Sequence, residues 1–224
     1  MRVVRQHEHE FEPQYGLPER LPAGERLLWQ GAPDWKALAR HVFYSRALTI
    51  YFAVILFLRA SAVVGDGGSV GEALRAVVML APLFATGLAL SWLLAWLSAR
   101  TTAYTITDQR VVMRVGIVLT VTYNLPLRRI ASADLRPLGA GHADIALALV
   151  PGTRIAYLHL WPHVRPWKLA QTQPMLRCLP AAVDVAALLA RTWSQANGSP
   201  ARPLPDAPAG AGSVLGGQPA MAGR

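Results

Sequence analysis

Two histidines four residues apart, His159 and His163 in the run His-Leu-Trp-Pro-His, have the spacing of a metal-ligand pair. Pro162 stands between them and prevents the continuous helix that would align their rings, and no nearby Cys, Asp or Glu completes a shell. His159 is therefore expected on a strand and His163 in a loop. Cys178 is the single cysteine, which excludes an internal disulfide and fits a reducing compartment. It has no neighbouring base in sequence, and the Ser and Asp residues form neither a nucleophile elbow nor a paired carboxylate. The glycine-rich stretch Gly65-Asp-Gly-Gly-Ser-Val-Gly71 follows an apolar run and reads as a flexible turn, not as a phosphate cradle. These residues predict a protein that is not an enzyme and holds no cofactor and no metal.

Recognition chemistry is better represented. The segment from Trp161 to Pro180 interleaves Trp161, His163, Arg165, Trp167, Lys168, Met175 and Arg177 with Pro162, Pro166, Pro174 and Pro180. Prolines stiffen a loop and reduce the entropy lost on binding, and Trp and Arg are favoured interface anchors. Trp161, His163, Arg165, Trp167, Lys168 and Arg177 are accordingly the candidate partner-binding residues. An ordinary inter-strand loop resting on lipid headgroups is the competing reading. Between Arg100 and Arg177 there are ten Lys/Arg against three acids, Asp108, Asp134 and Asp144. A basic surface of this kind suits anionic lipid better than nucleic acid if the domain is held at a bilayer. Arg128 and Arg129 fit a solvated or lipid-facing basic face.

The elements that position these residues begin with two apolar runs. Residues 76–99 carry no charge and are closed by Arg75 and Arg100. At about 1.5 Å per residue such a helix is about 36 Å long, enough to cross a hydrocarbon core of about 30 Å. Residues 42–64 form a second run, and 65–75 connect the two. Flanking charge orients the hairpin: Arg26, Lys36, Arg40 and Arg46 precede it, Arg100, Arg110 and Arg114 follow it, and the connection carries Asp66 and Glu72 against Arg75. The positive-inside bias predicts both termini in the cytoplasm of a bacterial cytoplasmic membrane and the 65–75 loop outside. Trp29 and Trp35 before the hairpin, and Trp92, Trp96 and Arg100 at its exit, are the predicted membrane-interface residues. Arg59 either snorkels to outer headgroups or meets a partner's acid. Small residues at four-residue spacing (Ala81, Ala85, Ala89; Gly87, Ser91, Ala95) permit close helix approach, within the hairpin or in a homo-oligomer. No histidine lies inside either apolar core, His41 being at the rim, so axial ligation of a haem or chlorophyll is not expected.

Residues 1–41 form a polar, proline-punctuated cytoplasmic segment without a secretory signal. Beyond Arg100 the period changes to that of strands. Thr101–Thr107 and Arg110–Val115 flank Asp108-Gln109 as a hairpin, Ile117–Tyr123 resumes the alternation, and Leu125–Ile130 follows with Pro126 at a strand start. Asp144–Val150 and Arg154–Leu160 are predicted to pair around Pro151-Gly152. Ala181–Trp193 is a closing helix, and residues 194–224, with six Gly and five Pro, a disordered tail.

Several short antiparallel strands and one terminal helix outline a pleckstrin-homology (PH)-like fold. Tyr104, Ile106, Thr107, Arg110, Val111, Arg114, Gly116 and the later Leu125-Pro126-Leu-Arg-Arg-Ile130 resemble the bacterial PH domain found directly after membrane spans. The fold class expected is thus membrane α plus β: a transmembrane hairpin, then a PH-like antiparallel barrel or sandwich over 101–193 with its helix. A wider resemblance joins residues 16–43, the hairpin and residues 157–180. Together these look like the PuhB-type photosynthetic complex assembly family of purple bacteria. That resemblance implies a membrane protein assisting assembly of the photosynthetic reaction centre and its light-harvesting 1 ring, with their subunits as partners. The alternative is a general membrane-anchored PH protein that binds anionic lipid or organises another complex.

Overall fold

The computed structural model describes residues 16–17, 19–152 and 155–198, together with the pair Gly212–Ser213. The chain divides into two units, Met1–Asp34 with Ser98–Arg224, and Trp35–Leu97.

The second unit is helical. A short α1 (Trp35–His41) precedes α2 (Ser45–Gly65) and α3 (Val70–Thr101). Both long helices are sufficiently long and apolar to cross a membrane by length and composition. Helix α3 exceeds the uncharged run 76–99 for a local reason. Ser69 and Glu72 form a reciprocal capping box: the Ser69 N–H donates to Glu72 Oε2 (2.7 Å) and the Glu72 N–H to Ser69 Oγ (3.3 Å). Helix α3 therefore starts at Val70, and the expected 65–75 connection contracts to residues 66–69. At its other end α2 starts at Ser45, not at residue 42. Within the hairpin the rings of Phe52 and Phe84 stack at 4.5 Å, and a Cβ at Gly87 would lie 3.5 Å from Phe52. Ser91 Oγ reaches the Phe43 carbonyl at 3.5 Å. The Gly87–Ser91 line thus serves the hairpin itself, whereas Ala85 and Ala89 stay exposed.

The first unit is a two-sheet β structure, each sheet four-stranded, with no closed barrel. One sheet has the order β1-β2-β3-β4, from Leu27–Gly31, Ala103–Thr107, Arg110–Val115 and Val121–Pro126. The other has the order β7-β6-β5-β8, from Met175–Pro180, His142–Leu149, Ile130–Gly139 and Gly212–Ser213. Helix α5 (Ala182–Asn197) packs Val185, Ala186, Leu189 and Trp193 into the core between them, with Ile106, Met113, Leu127, Ile145, Leu147 and Leu176. The Trp193 indole N–H donates to the Ile130 carbonyl at 2.8 Å.

Several expectations are corrected here. Residues 1–41 are not a separate segment: β1 pairs antiparallel with β2, Trp29 opposite Ile106 and Gly31 opposite Tyr104. The fourth strand begins at Val121 because residues 116–120 turn. Residues 127–129 are a 3-10 turn, not strand. The partner of β6 is β5, while residues 157–160 are a short helix, α4, so His159 is helical. The closing helix runs past Trp193 to Asn197, so residues 194–197 are helical rather than tail, and Gly212–Ser213 pairs with β5. The rest of the expected disordered tail, like Met1–Glu12, lies outside the described residues.

Candidate functional site

The site is built on the junction where α3 becomes β2. Residues from Ser98 onward belong to the first unit, so the last turn of α3 is part of the sandwich. Ser98 and Thr102 are four apart, on one helical face, and Tyr104 follows on the strand. All three are buried. Against them lies His163, only 1% exposed. Its Nε2 is 2.9 Å from Thr102 Oγ1 and 3.2 Å from Ser98 Oγ, and its Nδ1 is 2.6 Å from the Tyr104 hydroxyl.

The surrounding bonds fix the proton positions. Thr102 Oγ1 donates to the Ser98 carbonyl (2.7 Å), so it accepts from Nε2–H. The Tyr104 oxygen accepts the Arg177 backbone N–H (3.2 Å), which leaves its own proton for Nδ1. His163 is thus the neutral Nε2–H tautomer. Burial, aided by the Arg177 charge, pushes its pKa from 6.5 down to about 3. Burial likewise raises the Tyr104 phenol well above its ordinary value.

A charged pair adjoins this network. In the β6–β7 register Ala143 faces Leu179 and Ile145 faces Leu176, so Arg177 and Cys178 together oppose the single Asp144. This is a β-bulge, with Cys178 at φ 50°, and it turns the Arg177 side chain inward. Arg177 Nε lies 3.4 Å from Asp144 Oδ2, and both side chains are buried. Among the described residues neither of those two atoms completes a hydrogen bond. Arg177 Nη1 donates to the Pro162 and Val164 carbonyls at 3.3 and 3.4 Å, and Asp144 Oδ1 accepts the Cys178 N–H at 2.8 Å. Burial, with Asp144 adding, pushes the Cys178 thiol up to about 12. The cluster therefore binds the end of α3, the 162–164 segment and β7 to one another.

This placement corrects the partner-binding set. His163 and Arg177 are interior groups, held by Tyr104, Thr102 and the β6–β7 bulge. Arg165 is half-buried, its Nη1 2.7 Å from Asp134 Oδ2 and 3.0 Å from Gln173 Oε1. Trp161 is half exposed, and the Trp161–Pro162 peptide is cis. Trp167, 92% exposed, and the neighbouring Lys168 are the outermost of the six. Among the membrane-interface residues, Trp29 is the exception: its ring packs against the sandwich core, because β1 is a strand of that sheet. Trp35, Trp92, Trp96 and Arg100 are exposed, and the Lys36 ammonium lies 5.8 Å from the Trp35 ring centre.

The motif residues are structural. Tyr104 and Ile106 are fully buried, and Ile106 faces Val111 across the hairpin. Thr107 Oγ1 closes the turn by accepting the Gln109 and Arg110 N–H groups at 3.2 and 3.0 Å. The Arg110 guanidinium forks onto buried Glu25, Nε to Oε1 at 2.8 Å and Nη2 to Oε2 at 2.9 Å. Gly116 has φ 127°, and a Cβ there would lie 2.0 Å from the Leu119 carbonyl oxygen, so only glycine fits. Pro126 ends β4.

Ser98, Thr102, Asp144 and Glu25 were not singled out from the sequence. The available signal was a pair of hydroxyls four apart at the end of an apolar helix, which need a buried polar partner.

A family model described as the bacterial PH domain matches residues 51–193, from within α2 through α3 and strands β2–β7 into α5. A curated relative from Rhodobacter capsulatus is 39% identical over 184 residues, covering 82% of this chain and 86% of its own. It is described as an uncharacterized 23.7 kDa protein in the puhA 5' region. No solved structure matches the chain.

Proposed function

The chain belongs to the bacterial PH domain family, and from that premise we propose that it is a non-enzymatic membrane assembly factor for the photosynthetic reaction centre and light-harvesting 1 core complex. The observation that carries the proposal is the relative's gene position beside puhA, in a reaction-centre gene region. The near full-length match makes a shared role the simplest account. The hairpin and the cytoplasmic sandwich would bind partner subunits, with anionic lipid as a second contact.

The paired strands support the topology. Gly31 precedes both long helices and Tyr104 follows them, yet the two are register partners. Their pairing supports the proposed two-span hairpin, in which an even number of crossings keeps both strands on one side with the basic flanks. The exposed tip Trp167-Lys168 is the surface best suited to a client's cytoplasmic part.

Deletion of the gene in a phototroph should lower assembled core complexes while pigment synthesis continues; unchanged complex levels would refute the assembly role. Trp167→Ala with Lys168→Ala should weaken capture of reaction-centre subunits by the full-length protein. Nanodisc binding that depends on anionic lipid, with no captured subunit, would favour the general lipid-binding alternative.

A further inference from the structure

We infer that the β3–β4 turn, Ile117-Val118-Leu119, is a third membrane contact, inserting its side chains into the lipid interface of the leaflet from which α3 emerges. Val118 is 89% exposed and Leu119 82% exposed, although turns between strands are ordinarily polar. Register places the turn. Ala103 faces Arg114 and Val115 faces Val121, so the turn lies at the level of Thr102, one residue beyond the end of α3 at Thr101. The half-exposed Trp161 is at the same end, since His163, two residues on, bonds to Thr102 and Ser98.

The charge at this end fits lipid as the occupant. Along α3 and β2–β4 no acid occurs between Glu72 and Asp108 or between Asp108 and Asp134, while Arg114 stands next to the turn and Arg100 in the last turn of α3. The acid that β1 carries to this end, Asp34, lies 4.0 Å from His142 Nε2. Asp108 is at the opposite end of the β2–β3 hairpin, beside Arg26. Apolar tips flanked by cations, beside a helix leaving the bilayer, have the composition that partitions into anionic interfaces. The turn folds tightly on itself at Gly116, where a Cβ would lie 2.0 Å from the Leu119 carbonyl oxygen.

The inference rests on the helices spanning a bilayer and is independent of the client. It is tested with the full chain in vesicles of phosphatidylglycerol and phosphatidylcholine. Leu119→Cys, Gln109→Cys and Phe57→Cys each carry an environment-sensitive fluorophore; the buried native Cys178 leaves wild type as the unlabelled control. Lipids spin-labelled near the headgroup should quench the probe at 119 about threefold more than the probe at 109, as expected for side chains about 5–10 Å into the interface. Equal quenching at the two positions overturns the inference. So does a probe at 119 shielded from aqueous iodide only until the protein is diluted in lipid, which would show a second copy covering the turn. A probe at 57 untouched by deep-labelled lipid would overturn the spanning premise as well, and is recognised separately from either result.

Discussion

Two polar clusters lie side by side in the sandwich and are satisfied differently. Around His163 every partner is neutral and the donors and acceptors form a directed chain, from the Arg177 N–H through Tyr104 and His163 to Thr102 and the Ser98 carbonyl. Beside it, Arg177 and Asp144 are buried as charges, with Nε and Oδ2 facing each other at 3.4 Å and no hydrogen bond completed between them. A neutral network contributes through hydrogen bonds whose loss costs about 1–3 kcal/mol each. A buried pair gains little net stability, yet losing one member strands the other charge at about 3–5 kcal/mol. The first cluster positions the chain; the second is the more sensitive to a single substitution.

The largest expected effect breaks the charged side. Arg177→Met should destabilise the protein by about 3–5 kcal/mol in denaturant titrations in detergent micelles. Adding Asp144→Asn keeps the acceptor for the Cys178 N–H, removes the stranded charge, and should recover most of the loss. A double variant no better than the single one would show that the pair acts through packing.

Acid sharpens the comparison next. His163 has a folded pKa of about 3 against 6.5 in the unfolded chain, so between those values the unfolded state binds more protons. Its stabilising term is complete above pH 6.5 and declines as pH falls, by roughly 3 kcal/mol at pH 4. His163→Gln should lose that part of the pH dependence; a variant with the wild-type slope would remove His163 as its source. The smallest effect is expected at the link between the clusters. Tyr104→Phe removes the hydroxyl shared by His163 and the Arg177 N–H, and should cost about 2 kcal/mol while leaving the Arg177–Asp144 coupling measurable by a double-mutant cycle.

The sequence shows the apolar hairpin and the β2–β3 turn plainly, since both depend on local period and on Thr107 capping its own turn. Strand β5 was hidden because a bulge between Ile130 and Ser132 breaks its alternation, which left β6 to be matched with the wrong partner. Strand β1 was hidden because its partner lies beyond both long helices. Proline-rich segments with Trp and Arg ordinarily expose their anchors, which is what the sequence suggests for His163 and Arg177; their burial comes from Tyr104, Thr102 and the β6–β7 bulge, contacts no local pattern contains. The family motif marked Tyr104, Thr107, Arg110 and Gly116, and for these the roles of core, turn, ion pair and bend agree with their chemistry.

The pairing of Gly31 with Tyr104, and of Glu25 with Arg110, also sets an order of events during synthesis. β1 leaves the ribosome first and waits without a neighbour while the two apolar helices are made. Only after both have been made can β2 and β3 meet it. On the proposed two-span topology, a hairpin threaded only once would leave β1 and its buried glutamate apart from their partners, with an open strand edge. On that topology, closure of the sandwich would proofread the threading of the two helices.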